Sequence, residues 1–120
     1  MLLLLVLVVG AAAAPDPFKG KWHSIDVDGS NQTLQVGGGP GGSYHVRYYD
    51  DGATVCAADL SIAASAVGAL GLSGDTISGL VPVYCLASPR YLYDLDSYFQ
   101  YTFYPASDTL LDVHGIVWSR

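Results

Sequence analysis

The chain has 120 residues and a formal net charge of −6, five Lys and Arg against eleven acidic residues. That balance argues against nucleic acid and anionic membrane surfaces as partners, because both select a basic face. Lys19, Lys21, Arg47, Arg90 and Arg120 are too few and too scattered to build one. Every acid is Asp and none is Glu; with fourteen Gly and nine Tyr, the composition favours strands and tight turns over helices.

Met1 to Val9 is almost purely Leu and Val and runs into Gly10 and Ala11–Ala14. A short apolar run ending in small residues reads as a secretory signal peptide, cleaved after Ala13. It is too short to span a bilayer, which takes about 20 apolar residues. The expectation is a signal peptide at 1–13 and one β-domain at 14–120, secreted to an extracellular or periplasmic compartment and free of the membrane after cleavage. Cys56 and Cys85 are the two cysteines. An even count in an exported chain predicts one disulfide, worth roughly 3.5 kcal/mol for a loop of about 30 residues in the chain-entropy treatment.

Pro15-Asp16-Pro17 is a stiff leader, and Phe18 to Trp22 enters a first strand running to about Asp26. Asp28-Gly29 signals a hairpin. In the return strand, Leu34 and Val36 face one side and Thr33 and Gln35 the other. A flexible Gly37–Gly42 loop follows; without a Lys-Ser/Thr or a helix to open, it is no phosphate cradle. From Ser43, Tyr44, Val46 and Tyr48 alternate with His45, Arg47 and Tyr49, until Asp50-Asp51-Gly52 turns the chain back into a return strand, Ala53-Thr54-Val55-Cys56-Ala57, as a second hairpin. Ala58–Gly74 leaves open a short helix, a strand of small residues or an irregular loop. Thr76–Leu86 is a long strand in which Pro82 suggests a bulge or an edge. Ala87–Asp96 reads as a loop rich in Tyr and Asp. Ser97–Tyr104 puts Phe99, Tyr101 and Phe103 on one face. The chain closes with a hairpin around His114-Gly115 that carries Trp118. About eight strands joined by short turns make an all-β, antiparallel meander, closed as a barrel or flattened as a sandwich.

Chemistry-bearing residues are sparse. Asp26-x-Asp28-Gly29-Ser30 is half a calcium loop, but Ser24 and Gln35 stand where carboxylates are needed, so it reads as a turn. His23, His45 and His114 sit alone on separate elements, so no metal or cofactor is expected. Asp50-Asp51 and Asp94-Asp96 fall in predicted turns, and no nucleophile elbow supports a Ser-His-Asp triad, so the reading is not an enzyme. Asn31-Gln32-Thr33 is a sequon. Tyr91, Tyr93, Asp94 and Tyr98, with Asp96, Tyr101 and Tyr104 nearby, form the best candidate binding surface. Flat tyrosines suit a small ligand, a glycan or a protein surface.

Gly20-x-Trp22 after the leader and Arg120 at the end resemble the pattern of calycins, the lipocalin- and avidin-like barrels. The resemblance implies a barrel with a ligand in its mouth, and an Arg from the last strand lying over the Trp22 ring. The wider pattern is Phe18-x-Gly20-x-Trp22, Asp28-Gly29-Ser30, Asp51-Gly52-Ala53, the two cysteines, and Asp108-Thr109-Leu110 before Gly115-x-x-Trp118-x-Arg120. It is similar to a small exported bacterial domain to which no activity attaches. Trp22, Trp118 and Arg120 are expected to meet and seal the sheet. The leading expectation is a disulfide-stapled structural or interaction module, with inward aromatics filling the core; the alternative is a calycin-like barrel holding a small ligand.

Overall fold

A computed structural model describes residues 16–38, 41–87 and 91–120, with only the backbone course given for 87 and 91–95. The predicted signal peptide lies outside the described residues.

Eight strands follow one another: β1 (Gly20–Ile25), β2 (Asn31–Gly38), β3 (Ser43–Asp50), β4 (Ala63–Ser73), β5 (Thr76–Ala87), β6 (Tyr91–Tyr104), β7 (Thr109–Asp112) and β8 (Val117–Ser119). Each pairs antiparallel with the next and β8 returns to β1, so the meander is a closed barrel and not a sandwich. Period-two alternation sends Leu34 and Val36, Tyr44 and Val46, and Ile77, Val81 and Val83 into the interior. Lys21, Gln35, His45 and Arg47 stay outside.

Ala63–Ser73 resolves the ambiguous stretch as a strand of small residues. One of these leaves room for a neighbour: a Cβ on Gly68 would stand 2.7 Å from Val81 Cγ1. Pro82 makes neither a bulge nor an edge. The β4–β5 register is the same on both sides of it, Ala66↔Val83 and Gly71↔Ser78, while the ladder between those pairs is interrupted. A proline has no N–H to give, and here the loss is met by opening the ladder locally instead of shifting it. The predicted Tyr- and Asp-rich loop is also corrected. Ala87↔Tyr91, Cys85↔Tyr93 and Pro82↔Asp96 pair across β5 and β6, so Asp94 and Asp96 belong to a strand. Polarity alone suggested a loop; the twelve residues of β5 supply the partner that keeps β6 extended.

The two ends of the barrel differ. At one end Phe18, 2 % exposed, lies edge-on to Tyr44 with centroids 5.3 Å apart, and 6.1 Å from Phe103. The Trp22 indole N–H donates to Phe18 O at 2.9 Å, and Tyr44 donates its hydroxyl to Asp16 Oδ2 at 2.6 Å. The leader is therefore a plug folded under the barrel. Burial, with the Asp16 carboxylate beside it, pushes the Tyr44 hydroxyl up to about 12.

The closing seam is thin. β1 and β8 share the pair His23↔Ser119, which sets Arg120 beside Trp22 and Trp118 beside Ser24. Side chains add the rest: Ser24 Oγ donates to Val117 O at 3.0 Å, and Arg120 Nη1 donates to Lys19 O at 2.7 Å. The Arg120 guanidinium lies over the Trp22 ring, as predicted, 4.1 Å from its centroid. Trp118 departs from the expected three-way cluster. It stands two residues up the strand, about 7 Å at the usual rise, and packs edge-on against Tyr101, with Tyr48 6.3 Å away.

Candidate functional site

The opposite end of the barrel is open. Among the described residues its rim is the β1–β2 turn, the loop 51–62 between β3 and β4, and the β7–β8 turn. A cavity of about 380 Å³ opens there. Tyr48, Phe99, Tyr101, Val83 and Trp118 wall it. The inward aromatics were expected to fill the barrel; they fill only the plugged half. The cause is strand length. β6 has fourteen residues and β7 four, and β7 pairs only with Tyr101–Tyr104. The upper part of β6 rises past its neighbour and leaves a side opening.

Ala53–Ala57, expected as a return strand, is instead part of the loop 51–62, because its N–H groups bond within the loop and leave the pairing with β3 to β4. The loop is held over this mouth covalently. Cys56 and Cys85 form the predicted disulfide, closing 29 residues and tying the loop to the inner face of β5. Ala53 N–H donates to Ile62 O at 2.9 Å, and the Cys56 and Ala57 N–H groups both donate to Ala53 O at 3.0 Å. The loop folds tightly on Gly52, where a Cβ would stand 2.8 Å from Leu60 O. Ala53, Thr54 and Val55 thereby become part of the cavity wall.

Three aspartates meet at this end, each from the top of a different hairpin. Asp26 Oδ1 accepts Val27 N–H at 2.7 Å, and Asp50 Oδ1 accepts Gly52 N–H at 3.0 Å. Asp112 Oδ1 accepts His114 and Ile116 N–H at 2.9 and 3.0 Å. One oxygen of each carboxylate thus caps its own turn. The other faces an inward donor. Asp112 Oδ2 accepts the Trp118 indole N–H at 2.9 Å. Asp26 Oδ2 and Asp50 Oδ2 both lie 3.2 Å from Gln32 Nε2, which is also 2.9 Å from the Tyr48 oxygen. Tyr48 O–H donates to Asp50 Oδ2 at 3.2 Å.

Acceptors outnumber donors here. Gln32 Nε2 has two hydrogens for three oxygens. Gln32 itself is 6 % exposed, and its Oε1 has no partner. Burial, then the charges of Asp28, Asp50 and Asp112, push the Asp26 carboxyl above its usual range, against the pull of the Val27 N–H. Burial raises the Tyr48 hydroxyl, with Asp50 adding to it, and burial raises Tyr101, with Asp112 adding to it. Among the described residues, the lining holds no Lys or Arg.

The sequence-predicted surface is only partly here. The side chains of Tyr91, Tyr93 and Asp94 lie outside the described residues. Tyr98 is 48 % exposed at the cavity rim, its hydroxyl donating to Gln100 Oε1 at 2.9 Å. Tyr101 points inward, so it shares no face with Tyr98 and Tyr104. Sequence reasoning missed Gln32, Asp112 and Trp118 as mouth residues. Gln32 shares the Leu34–Val36 face, and a Gln on an apolar face was the signal available.

Asp28 serves its turn: its Oδ1 accepts Ser30 N–H at 2.9 Å and Ser30 Oγ–H at 2.7 Å. His23, His45 and His114 are exposed on separate elements, and among the described residues no three His, Cys, Asp or Glu side chains stand close enough to hold a metal. Comparison with protein-family models, curated proteins and solved structures finds no match for this chain.

Proposed function

We propose that this is an exported, disulfide-stapled β-barrel that binds a small ligand in its open mouth. The observation that carries the reading is the cavity of about 380 Å³. Small-molecule sites run from roughly 300 to 1,000 Å³, with mainly apolar walls and a few converging polar groups. Of the partner classes compatible with exposed tyrosines, a recessed cavity suits a small ligand better than a glycan chain or a flat protein surface. The calycin resemblance supports the same reading through its architecture and the Arg120–Trp22 stack. Export belongs to the proposal as well: the leader reads as a signal peptide, and a disulfide is consistent with an oxidising compartment outside the cytoplasm. The role is binding and not catalysis, because Asp50 and Asp112 commit both oxygens to turn N–H groups and inward donors.

The two tryptophans supply the test. Trp118 lines the mouth, whereas Trp22 lies under the barrel beside the plug. Their indole N–H resonances can be assigned with a Trp22→Phe protein. Phenyl-bearing fragments of neutral, cationic and anionic type should include at least one that moves the Trp118 resonance and leaves Trp22 in place. No movement of Trp118 up to millimolar fragment would remove the small-ligand reading.

A further inference from the structure

The chemistry of the mouth points to one class of ligand. We propose that the ligand is a small organic cation, a primary ammonium joined to an apolar and preferably aromatic body. The inference deepens the small-ligand reading and rests on it.

Two independent observations carry it. The first is charge. Asp26, Asp50 and Asp112 converge on one cavity, and among the described residues no Lys or Arg lines it; the exposed His114 at the rim is its only histidine. Carboxylates sharing a partly dry site repel one another unless a cation lies between them. The second is the buried amide of Gln32. Its Nε2 already faces Asp26, Tyr48 and Asp50, and its Oε1 is left without a donor at 6 % exposure. A buried carbonyl oxygen without a donor costs free energy until a donor reaches it. The mouth therefore lacks N–H groups, and it lacks them beside negative charge. An ammonium brings three N–H donors and a positive charge together.

The walls select the rest of the molecule. Tyr48, Phe99, Tyr101 and Trp118 offer ring faces and edges within the same space. Aromatic faces attract cations and bury apolar carbon. A metal ion is a poorer occupant, since among the described residues no set of three ligating side chains is close enough. An anion would meet three carboxylates.

The test compares three probes of one shape: phenethylamine, 2-phenylethanol and 3-phenylpropionate, each titrated against the Trp118 indole resonance at neutral pH. The amine should half-saturate the shift at a concentration at least about tenfold below the alcohol, and the carboxylate should not bind. The amine's advantage should shrink as salt rises, because salt screens charge at a solvent-open mouth. Asp26→Asn should shrink it too, with the Trp22 resonance unmoved as the sign of an intact barrel. An alcohol that binds as tightly as the amine, or an amine preference indifferent to salt, would overturn the cation inference and leave the small-ligand site standing. If none of the three moves Trp118, the small-ligand reading falls as well.

Discussion

The guanidinium of Arg120 lies 4.1 Å from the centroid of the Trp22 ring and donates to Lys19 O at 2.7 Å. It also pairs with Asp108 through Nη2–Oδ1 at 2.6 Å. One side chain at the end of β8 thus ties together the first strand, the plug and the β6–β7 turn. Arg120→Ala should cost about 1–2 kcal/mol, the upper range for a partly exposed cation–π contact, read by chemical denaturation. The effect should also depend on pH. The Arg120 hydrogen bond holds the Asp108 carboxyl below its usual range. A lowered folded value means the contribution is complete above the ordinary carboxylate range and is lost as pH falls through the lowered one. The gap between parent and Arg120→Ala should therefore narrow only in strong acid.

Trp118 is 1 % exposed, and its ring meets Tyr101 at 5.7 Å. Trp118→Ala should cost about 3–5 kcal/mol, the range for a buried aromatic. It also strips Asp112 Oδ2 of its indole donor. A protein as stable as the parent by denaturation would mean that the tryptophan does not pack as a core residue.

Gly68 faces Val81 across the interrupted part of the β4–β5 ladder. Gly68→Ala would press a methyl to 2.7 Å from Val81 Cγ1 and 3.1 Å from Cγ2. Val81 is fully buried and has little room to move. The substitution should cost about 1–3 kcal/mol by overpacking. Adding Val81→Ala should recover part of that loss, so the double-mutant cycle should show a favourable coupling; additive losses would show that the two side chains do not compete for space.

The Cys56–Cys85 bond has two jobs that one experiment separates. It closes 29 residues, worth roughly 3.5 kcal/mol against the unfolded chain. It also holds Ala53–Val55 at the mouth. The oxidised protein should be about 2 Da lighter than the reduced one. Reduction should lower the denaturation midpoint and, in the still-folded protein, weaken binding of any probe that moves Trp118. Two alkylatable thiols in the native protein would sink the assignment.

Much of the barrel was legible in the chain because strands advertise themselves with a period of two. Leu34–Val36, Tyr44–Val46–Tyr48 and Phe99–Tyr101–Phe103 alternate cleanly, and each went to the predicted face. Asp28-Gly29 and His114-Gly115 marked their turns through local backbone chemistry. Ala63–Ser73 gave no such signal, because its small side chains suit close packing against β5 in a way that only the neighbour reveals. Tyr91–Asp96 looked like a loop because it is polar, yet it is held extended by hydrogen bonds to β5.

The mouth belongs to tertiary structure. Asp26 and Asp50 read locally as turn residues, and both cap turns, as Asp112 also does. Nothing local says that the three turns lie at one end. That follows from an up-and-down chain in which β1, β3 and β7 run the same way, so their upper ends converge. The opening likewise depends on a long β6 beside a short β7, a mismatch with meaning only once the two are paired. Sequence determined which faces are apolar and where the chain turns, since those are nearest-neighbour properties. Closure decided which distant carboxylates share a cavity and which aromatics leave it open, since both depend on strand register summed around the barrel.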